Sequence, residues 1–418
     1  MLDYNDANSE FGRKIDDSEQ KMKFVHTTNR KFGTITIVRG HFNGDNQMLK
    51  IFQRHGKNVA KLILVGGRIE NLVGFVDILN LTPNLNHAVI RMVDLRSVSD
   101  VILDQDLPVL RKLNNLEIIV GDQRIITCFR KATLKTIKVV EDWSWRRCDG
   151  MEDFLSSQEM LTSLSVRVES ESSSILAAMG KWKVPILFRL TNLNISDMCG
   201  QRSLHDQASI LRFVKSQAET IEELGIGSNI PNAVYECVFA KMSKLNCLSV
   251  AISDIPKDND FYKRLKENCS VRRVKLRGDS MSDIGFILNF FNKLPNIRRL
   301  ILPDVGIDEN HKVLIMAQYL TQLESLSIRC IDRRSNGYVT FPNLKTLHIE
   351  YLCAKINWNE FTKIHPRLVE LAIRHMYIDS VLTSDDIDHI TTSVGTQTVR
   401  PDGRFGVHFK ADDRFLTE

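Results

Sequence analysis

The chain has 418 residues, of which 43% are hydrophobic and 26% are charged, and this composition excludes disorder over most of its length. The formal net charge of +5 is too small for a strongly basic nucleic-acid-binding domain. No apolar run approaches the ~18 residues of a membrane span, and residues 1–10 lack the apolar core of a signal peptide. We therefore expect a cytoplasmic or nuclear protein that makes no contact with a membrane.

The chain opens with a polar segment, which is followed by a repeat. Residues 1–31 are rich in Asp, Asn and Ser and are expected to form a mobile N-terminal segment. A pattern then recurs in which an apolar residue, two variable residues, an apolar residue, one variable residue and a third apolar residue follow one another. Its copies begin at Phe32, Val59, Leu85, Leu113, Leu134, Leu161, Leu190, Ile221, Leu245, Val271, Ile297, Leu323, Leu344 and Leu368. Their spacing averages about 26 residues, within the range of roughly 20–29 that is typical of leucine-rich repeats.

The recurring pattern has a physical cause. Alternate side chains of a strand face opposite sides of a sheet, so the second and third apolar residues of each copy point inward while the residues between them point outward. One strand with one helix cannot bury its apolar face alone, and stacking of the next copy closes the core. The sequence therefore predicts an α/β fold for residues 32–393: a curved leucine-rich-repeat solenoid with a parallel concave sheet and helices or turns on the convex face.

The segments between the copies carry helix and turn signals. Two stretches place apolar residues at helical spacing: Val313, Met316, Ala317 and Leu320, and Ile210, Leu211 and Val214. Proline cannot continue a helix, so prolines two residues before a copy predict helix-to-strand turns. They are Pro83, Pro295, Pro342 and Pro366. Gly66 and Gly67 lack the other residues of a phosphate-binding loop and predict a turn after a strand at 62–64.

The C-terminal end leaves the repeat phase. Residues 394–418 contain the turn signal Pro401-Asp402-Gly403 between two short apolar stretches. A solenoid needs a terminal cap because its last repeat otherwise exposes its core. We therefore predict that residues 394–418 form a C-terminal cap over the final copy.

Three of the proline turns share a longer sequence: Thr82-Pro83-Asn84-Leu85, Leu294-Pro295-Asn296-Ile297 and Phe341-Pro342-Asn343-Leu344. With an irregular ninth position in the copies, such as Val93 and Ile331, they make residues 32–380 resemble the ribonuclease-inhibitor-like array of F-box/leucine-rich-repeat proteins. The resemblance implies an array that recognises a substrate and a separate F-box that docks on a ubiquitin-ligase scaffold. Residues 1–31 hold neither the Leu-Pro opening nor the later Cys and Trp of an F-box. The residues themselves therefore give no support for binding of a Skp1-like adaptor.

No pattern in the sequence favours an enzyme, a cofactor or a metal centre. The eight cysteines form no C-x-x-C pair and no cluster with zinc-ligand spacing, and we expect reduced thiols. Residues 203–206 hold the residue types of a catalytic triad, but in adjacent positions, where the side chains diverge. The stretch from Trp143 to Arg147 looks like an aromatic and basic surface for nucleic acid. Trp143 and Trp145, however, fall at repeat positions that are expected to point inward.

The candidate site consists of cations at outward strand positions. They are Arg273, Lys275, Arg277, Arg299, Arg329, His348 and Arg374. Since parallel strands lie about 4.8 Å apart, these side chains are expected to share one region of the concave face. Arginine and lysine in that arrangement favour a protein partner with acidic or phosphorylated groups. Glu350 and Glu370 interleave with the cations and are expected to neutralise part of the region.

Three functions are compatible with these features. The leading interpretation is a protein–protein interaction module, the substrate-recognition part of an F-box-type ubiquitin ligase. One alternative is a stand-alone leucine-rich-repeat scaffold or inhibitor without a ligase role. The other is a nucleic-acid binder that uses the basic concave strands, which would lose affinity steeply with salt.

Overall fold

A computed structural model of the chain describes residues 31–42, 46–70, 72–96, 104–119, 122–141, 151–168, 175, 188–197, 204–227, 230–278, 285–303, 307–331, 340–353, 356–376, 385–386, 390, 396–399 and 407–410. The chain divides into two compact units, residues 1–217 (unit 1) and residues 218–418 (unit 2). The predicted mobile segment (apart from residue 31) and the stretch from Trp143 to Arg147 lie outside the described residues.

Unit 1 is built from strands that each pair in parallel with the next. The strands are β1 (Thr34–Phe42), β2 (Lys61–Ile69), β3 (His87–Leu95), β4 (Asn115–Ile119), β5 (Thr136–Glu141), β6 (Ser163–Val168) and β7 (Asn192–Asp197). The helices are α1 (Asn46–His55), α2 (Leu72–Asn80), α3 (Met151–Ser156) and α4 (Leu204–Gln217). Short 3₁₀ helices lie at Gly56–Asn58, Asp104–Asp106 and Gln123–Phe129.

Unit 2 repeats this arrangement and ends differently. Its parallel strands are β8 (Glu223–Ile226), β9 (Cys247–Ala251), β10 (Arg273–Arg277), β11 (Arg299–Leu302), β12 (Ser325–Ile331), β13 (Thr346–Leu352) and β14 (Glu370–Met376). The helices are α5 (Asn232–Lys241), α6 (Asn259–Arg264), α7 (Phe286–Asn292), α8 (Ile307–Ala317) and α9 (Trp358–Ile364), with a 3₁₀ helix at Ile252–Asp254. Two last strands are antiparallel: β16 (Val407–Lys410) pairs with β14, and β15 (Thr396–Val399) pairs with β16.

The predicted fold class, an α/β leucine-rich-repeat solenoid with a parallel sheet, is confirmed. Each predicted copy coincides with a strand that begins two residues after the first apolar position, as Val271 precedes β10. The apolar positions form the core: Val271, Val274 and Leu276 are all 0% exposed. Burial of the same three positions in successive copies is what requires the copies to stack, since a single copy offers no second apolar layer.

The helix predicted around Val313 is confirmed with corrections to its face. Helix α8 buries Val313 and Ala317 as expected, but Met316 is half-buried and Leu314 takes the buried position instead. Leu320 lies beyond the end of α8 and is nevertheless buried, in the turn towards β12. In α4 the same difference occurs, because Leu211 is half-buried while Phe213, two residues later, is 1% exposed.

The four prolines occupy turns between a helix or loop and the next strand, as predicted. The asparagine after three of them has a further role that the sequence did not reveal. Its side-chain Nδ2 donates to a backbone carbonyl of the preceding repeat: Asn84 to Lys57 (2.6 Å), Asn296 to Cys269 (2.8 Å) and Asn343 to Thr321 (2.8 Å). The Pro-Asn turns therefore link successive copies in addition to ending each helical segment.

The prediction of a turn at Gly66 and Gly67 is wrong. Both glycines lie inside β2, with φ angles of 58° and 140°, and the strand continues to Ile69. Arg39 in β1 and Met92 in β3 adopt similar positive φ angles of 54° and 51° at the same register position. The three strands thus share a left-handed residue in one row, and in β3 the buried positions change from Ala88 and Ile90 before it to Val93 and Leu95 after it. Two glycines in succession signal this left-handed backbone as readily as they signal a turn.

Candidate functional site

The outward face of unit 2 carries the predicted cations in a defined register. In β10 the side chains of Val274 and Leu276 point into the core, whereas Arg273, Lys275 and Arg277 lie half-buried on the opposite face. The alternation follows from the pleat of the strand. The five cations of β10, β11 and β12 on this face are called the basic patch: Arg273, Lys275, Arg277, Arg299 and Arg329.

Strand pairing fixes the positions within the basic patch. Arg273 is the direct partner of Arg299, and Lys275 lies one step along β10, opposite Ile301. Arg329 follows Ile328 in β12 and lies two steps further along the strands than Arg299. With about 4.8 Å between strands and roughly 6.6 Å between successive outward residues, the patch extends about 10 Å across and 13 Å along the strands. Arg299 and Arg329 are exposed.

Arg273 is held by a carboxylate two strands away. Its Nη2 contacts Glu223 Oε1, across the intervening strand β9, where Cys247 occupies the same register row. Burial raises the pKa of the Cys247 thiol, and the positive charge and hydrogen bond of Arg273 only partly offset this effect. Burial lowers the pKa of Arg273, but interactions with Cys247 and Glu223 raise it further than burial lowers it. Arg273 is therefore a fixed, charged boundary of the basic patch.

Arg277 is anchored to the backbone and borders a buried polar cluster. Its Nη2 donates to Ile226 O at 2.9 Å. Tyr235 on α5 is completely buried, and its pKa is raised well above the ordinary value by burial and by the nearby charge of Asp254. The hydroxyls of Tyr235 and Tyr262 are buried without a hydrogen-bond partner among the described residues. Sequence reasoning missed this cluster because both tyrosines lie on helices where they read as apolar core residues.

The remaining two predicted residues, His348 and Arg374, each lie next to an interleaved glutamate. His348 Nε2 lies 3.4 Å from Glu370 Oε1, and Arg374 Nη1 lies 3.5 Å from Glu350 Oε1. Both pairs belong to β13 and β14, outside the basic patch. The structure therefore separates the seven predicted residues into five that cluster on β10–β12 and two that are paired with acids.

Within the basic patch, three cations remain available to a partner. Lys275, Arg299 and Arg329 form no ion pair or hydrogen bond within the part of the chain that the structure describes. Arg299 and Arg329 present planar guanidinium groups, which can bind a carboxylate or phosphate through two parallel hydrogen bonds, and Lys275 adds a compact charge on the neighbouring strand β10. This arrangement is suited to binding an anionic group.

The corresponding face of unit 1 has a different character. Glu117 in β4 lies between His87, with Nε2 at 3.3 Å, and Lys138, with Nζ at 3.6 Å. Further along, Asn194 Nδ2 donates to Ser165 Oγ at 3.2 Å, so the outward positions of β6 and β7 in that row are polar and uncharged. The exposed strand cations of unit 1 that form no ion pair among the described residues lie elsewhere, on β1–β3, and include Arg39, Arg68 and Arg91.

The described residues contain no helix long and apolar enough to cross a bilayer. No group of three or more His, Cys, Asp or Glu side chains within them is placed to hold a metal ion.

Comparison with known proteins adds little. No family model matches the chain, and no curated protein matches it. A solved structure with some similarity is a chain of the Toll–Spatzle complex of Drosophila, with 12% sequence identity and a TM-score of 0.39. The alignment covers 82% of this chain and 47% of the other, so this chain spans about half the length of that neighbour. At this level of similarity no inference about function follows, and the fold is established by the strand register described above.

Proposed function

We propose that the chain is a protein-interaction module that binds an acidic or phosphorylated partner through the basic patch of unit 2. The observation that carries the proposal is the clustering of Lys275, Arg299 and Arg329 on three adjacent strands, where none of them forms an ion pair with a described residue. Glu350, which lies opposite Arg329 in register, pairs with Arg374 instead. Each exposed ion pair alone contributes only ~0.2–1 kcal/mol. The residues are therefore expected to act together, and a single substitution should have little effect.

A triple charge reversal tests the proposal. The variant Lys275→Glu, Arg299→Glu, Arg329→Glu is compared with a control, Lys244→Glu, Lys257→Glu, Lys266→Glu. The control changes the net charge equally, at exposed residues outside the strands. The probes are a fluorescent acidic peptide, its phosphoserine form and a single-stranded oligonucleotide, and binding is measured by fluorescence anisotropy at 0.05 M and 0.3 M salt.

Loss of three pairs predicts a decrease in peptide affinity of roughly 3- to 100-fold for the patch variant at low salt. The control variant should bind as the wild type does. The difference should shrink at high salt, because the Debye length falls below ~10 Å. Equal binding by both variants would refute the proposal. Tighter binding of the oligonucleotide than of either peptide, with a steep salt dependence, would replace the protein partner by nucleic acid.

A substrate-receptor role in a ubiquitin ligase is the more specific form of the proposal, and the Pro-Asn turn sequences are what supports it. Co-purification with a Skp1-like adaptor tests it. If the adaptor is recovered together with partners that depend on the basic patch, the receptor role is supported. If the partners are recovered and the adaptor is not, the chain is a stand-alone scaffold or inhibitor, and the binding proposal is unaffected.

A further inference from the structure

Two cysteines of unit 2 lie in contact across adjacent strands. Cys330 is the penultimate residue of β12, and Cys353 directly follows the last residue of β13. Their Sγ atoms are 3.1 Å apart, and the two residues are not joined by a disulfide. The two strands pair in parallel up to this point, with Cys330 opposite Tyr351 and Ile331 opposite Leu352. The pairing of the backbones thus holds the two thiols together at the end of the strands.

The two sulfur atoms lie near enough for a disulfide to form after a small movement. A disulfide has an S–S distance of about 2.05 Å, so the atoms need to approach by roughly 1 Å to form one. Cys353 is partly exposed, whereas Cys330 is 3% exposed. This asymmetry gives the two thiols different parts in an exchange reaction, because an external reagent reaches Cys353 first and Cys330 lies behind it.

We propose that Cys330 and Cys353 form a reversible dithiol–disulfide site that exchanges with low-molecular-weight disulfides such as oxidised glutathione. The Cys353 thiolate attacks one sulfur of oxidised glutathione, which forms a mixed disulfide and releases one glutathione thiolate. The Cys330 thiolate then attacks the Cys353 sulfur and displaces the second glutathione. The protein loses two electrons and two protons, and one molecule of oxidised glutathione is reduced to two of glutathione. The same steps in reverse restore the thiols.

The site goes beyond the proposed partner binding and does not depend on it. The bond would join β12 to β13 and close the chain between residues 330 and 353, which fixes the end of the strand that carries Arg329. Cross-linking restricts the unfolded chain, so the oxidised protein should melt at a higher temperature than the reduced protein.

The experiment uses the full chain, incubated with oxidised glutathione either folded or in urea, then alkylated, acid-quenched and digested with trypsin. Cleavage after Arg329, Arg333, Lys345 and Lys355 yields the peptides 330–333 and 346–355. A disulfide appears as a linked pair of these peptides that is lost on reduction, with a decrease in intact mass of about 2 Da. Cys269, an exposed thiol in peptide 267–272, is the internal control. It should form a mixed disulfide with glutathione because it is exposed, but it should not form the linked pair.

The linked pair should form at least about ten-fold faster in the folded chain than in urea, because the fold replaces random loop closure by fixed proximity. With Cys330→Ser, peptide 346–355 should instead accumulate as a stable mixed disulfide with glutathione. Formation of the link at equal rates in the folded and unfolded chains would overturn the proposal. The proposal would also be overturned if Cys353 of the folded wild-type chain stayed glutathionylated, as Cys269 is expected to, or stayed unmodified. This outcome is measured on the wild type and does not depend on the folding of a variant.

Discussion

A buried asparagine offers the sharpest test of how successive repeats are held together. Asn268, 6% exposed, precedes β10 and binds the helix of the preceding repeat. Its Nδ2 donates to Val238 O at 2.8 Å and to Met242 O at 3.1 Å, and its Oδ1 accepts from the backbone N–H of Ser270 at 3.0 Å. The substitution Asn268→Ala removes these three bonds and a fourth, in which Ser270 Oγ donates to Oδ1 at 2.5 Å.

The expected loss of stability depends on which polar groups lose a hydrogen-bond partner. Met242 O still accepts a bond from the backbone N–H of Leu245, at 3.3 Å, whereas Val238 O and the Ser270 N–H lose the bond to Asn268. An unsatisfied buried polar group costs about 1–3 kcal/mol, so two of them predict that the free energy of unfolding falls by about 2–6 kcal/mol. The matched control is Asn296→Ala, which removes an equally short bond to Cys269 O at an exposed position. Water replaces that bond, and the cost should be ~0.5–1 kcal/mol.

Urea unfolding of the two variants and the wild type measures the difference. Far-ultraviolet circular dichroism follows the whole chain, and tryptophan fluorescence, to which Trp358 (2% exposed in α9) and the three other tryptophans contribute, gives a second probe of the transition. The slope of the transition should stay constant so that midpoints can be compared. If Asn268→Ala costs no more than Asn296→Ala, the burial of the inter-repeat bond is not what stabilises the stack, and the reasoning fails.

Three further outcomes are expected from changes elsewhere in the chain. A Cβ at Gly56 would lie 2.3 Å from Leu81 O, so Gly56→Ala should destabilise the protein by about 1–3 kcal/mol. Gly33→Ala, with nothing within 4 Å of its Cβ, should be nearly neutral in the same urea experiment. Burial lowers the pKa of His365 below 6.5, so the unfolded chain binds the proton more tightly and stability should be lost as the pH falls below 6.5. The variant His365→Gln should flatten the pH dependence of stability between pH 7 and pH 5. An unchanged profile would exclude His365 as the cause of that dependence. Deletion of residues 394–418 removes β16 from the edge of β14 and should lower the melting temperature, whereas an unchanged melting temperature would rule out a capping role.

The strands were predictable because their signal is repeated and the physics of a strand is simple. The period of about 26 residues located every parallel strand, and the pleat then separated inward Val274 from outward Lys275. The helix faces were less predictable, since a short helix can rotate by one residue and still cover the sheet. Met316 was assigned to the core by spacing, but it is half-buried, and Leu314 is buried instead.

The position of the candidate site was predictable from the sequence, but the ion pairs that its residues form were not. The register placed Arg273 and Arg299 in one row, as the sequence implied, and the structure adds Glu223 to that row. Which cation binds which carboxylate depends on side-chain reach, and Arg273 spans β9 to contact Glu223 two strands away. Cys330 and Cys353 were equally hidden, because they occupy different repeat positions and meet only after the strands are aligned. Contacts of this kind depend on three-dimensional geometry that a periodic pattern does not encode.

The acids that border the basic patch restrict which partner it can bind. The row that contains Arg273 and Arg299 begins at Glu223, on the first strand of unit 2, and ends at Glu370, on its last parallel strand. The unneutralised cations therefore extend over about two strand spacings, or roughly 10 Å. A long polyanion laid across the strands would bring phosphates close to Glu370 and lose part of what it gains at the patch. A compact anionic group on a protein fits the available width, and this is the physical reason to favour a protein over a nucleic acid as the partner.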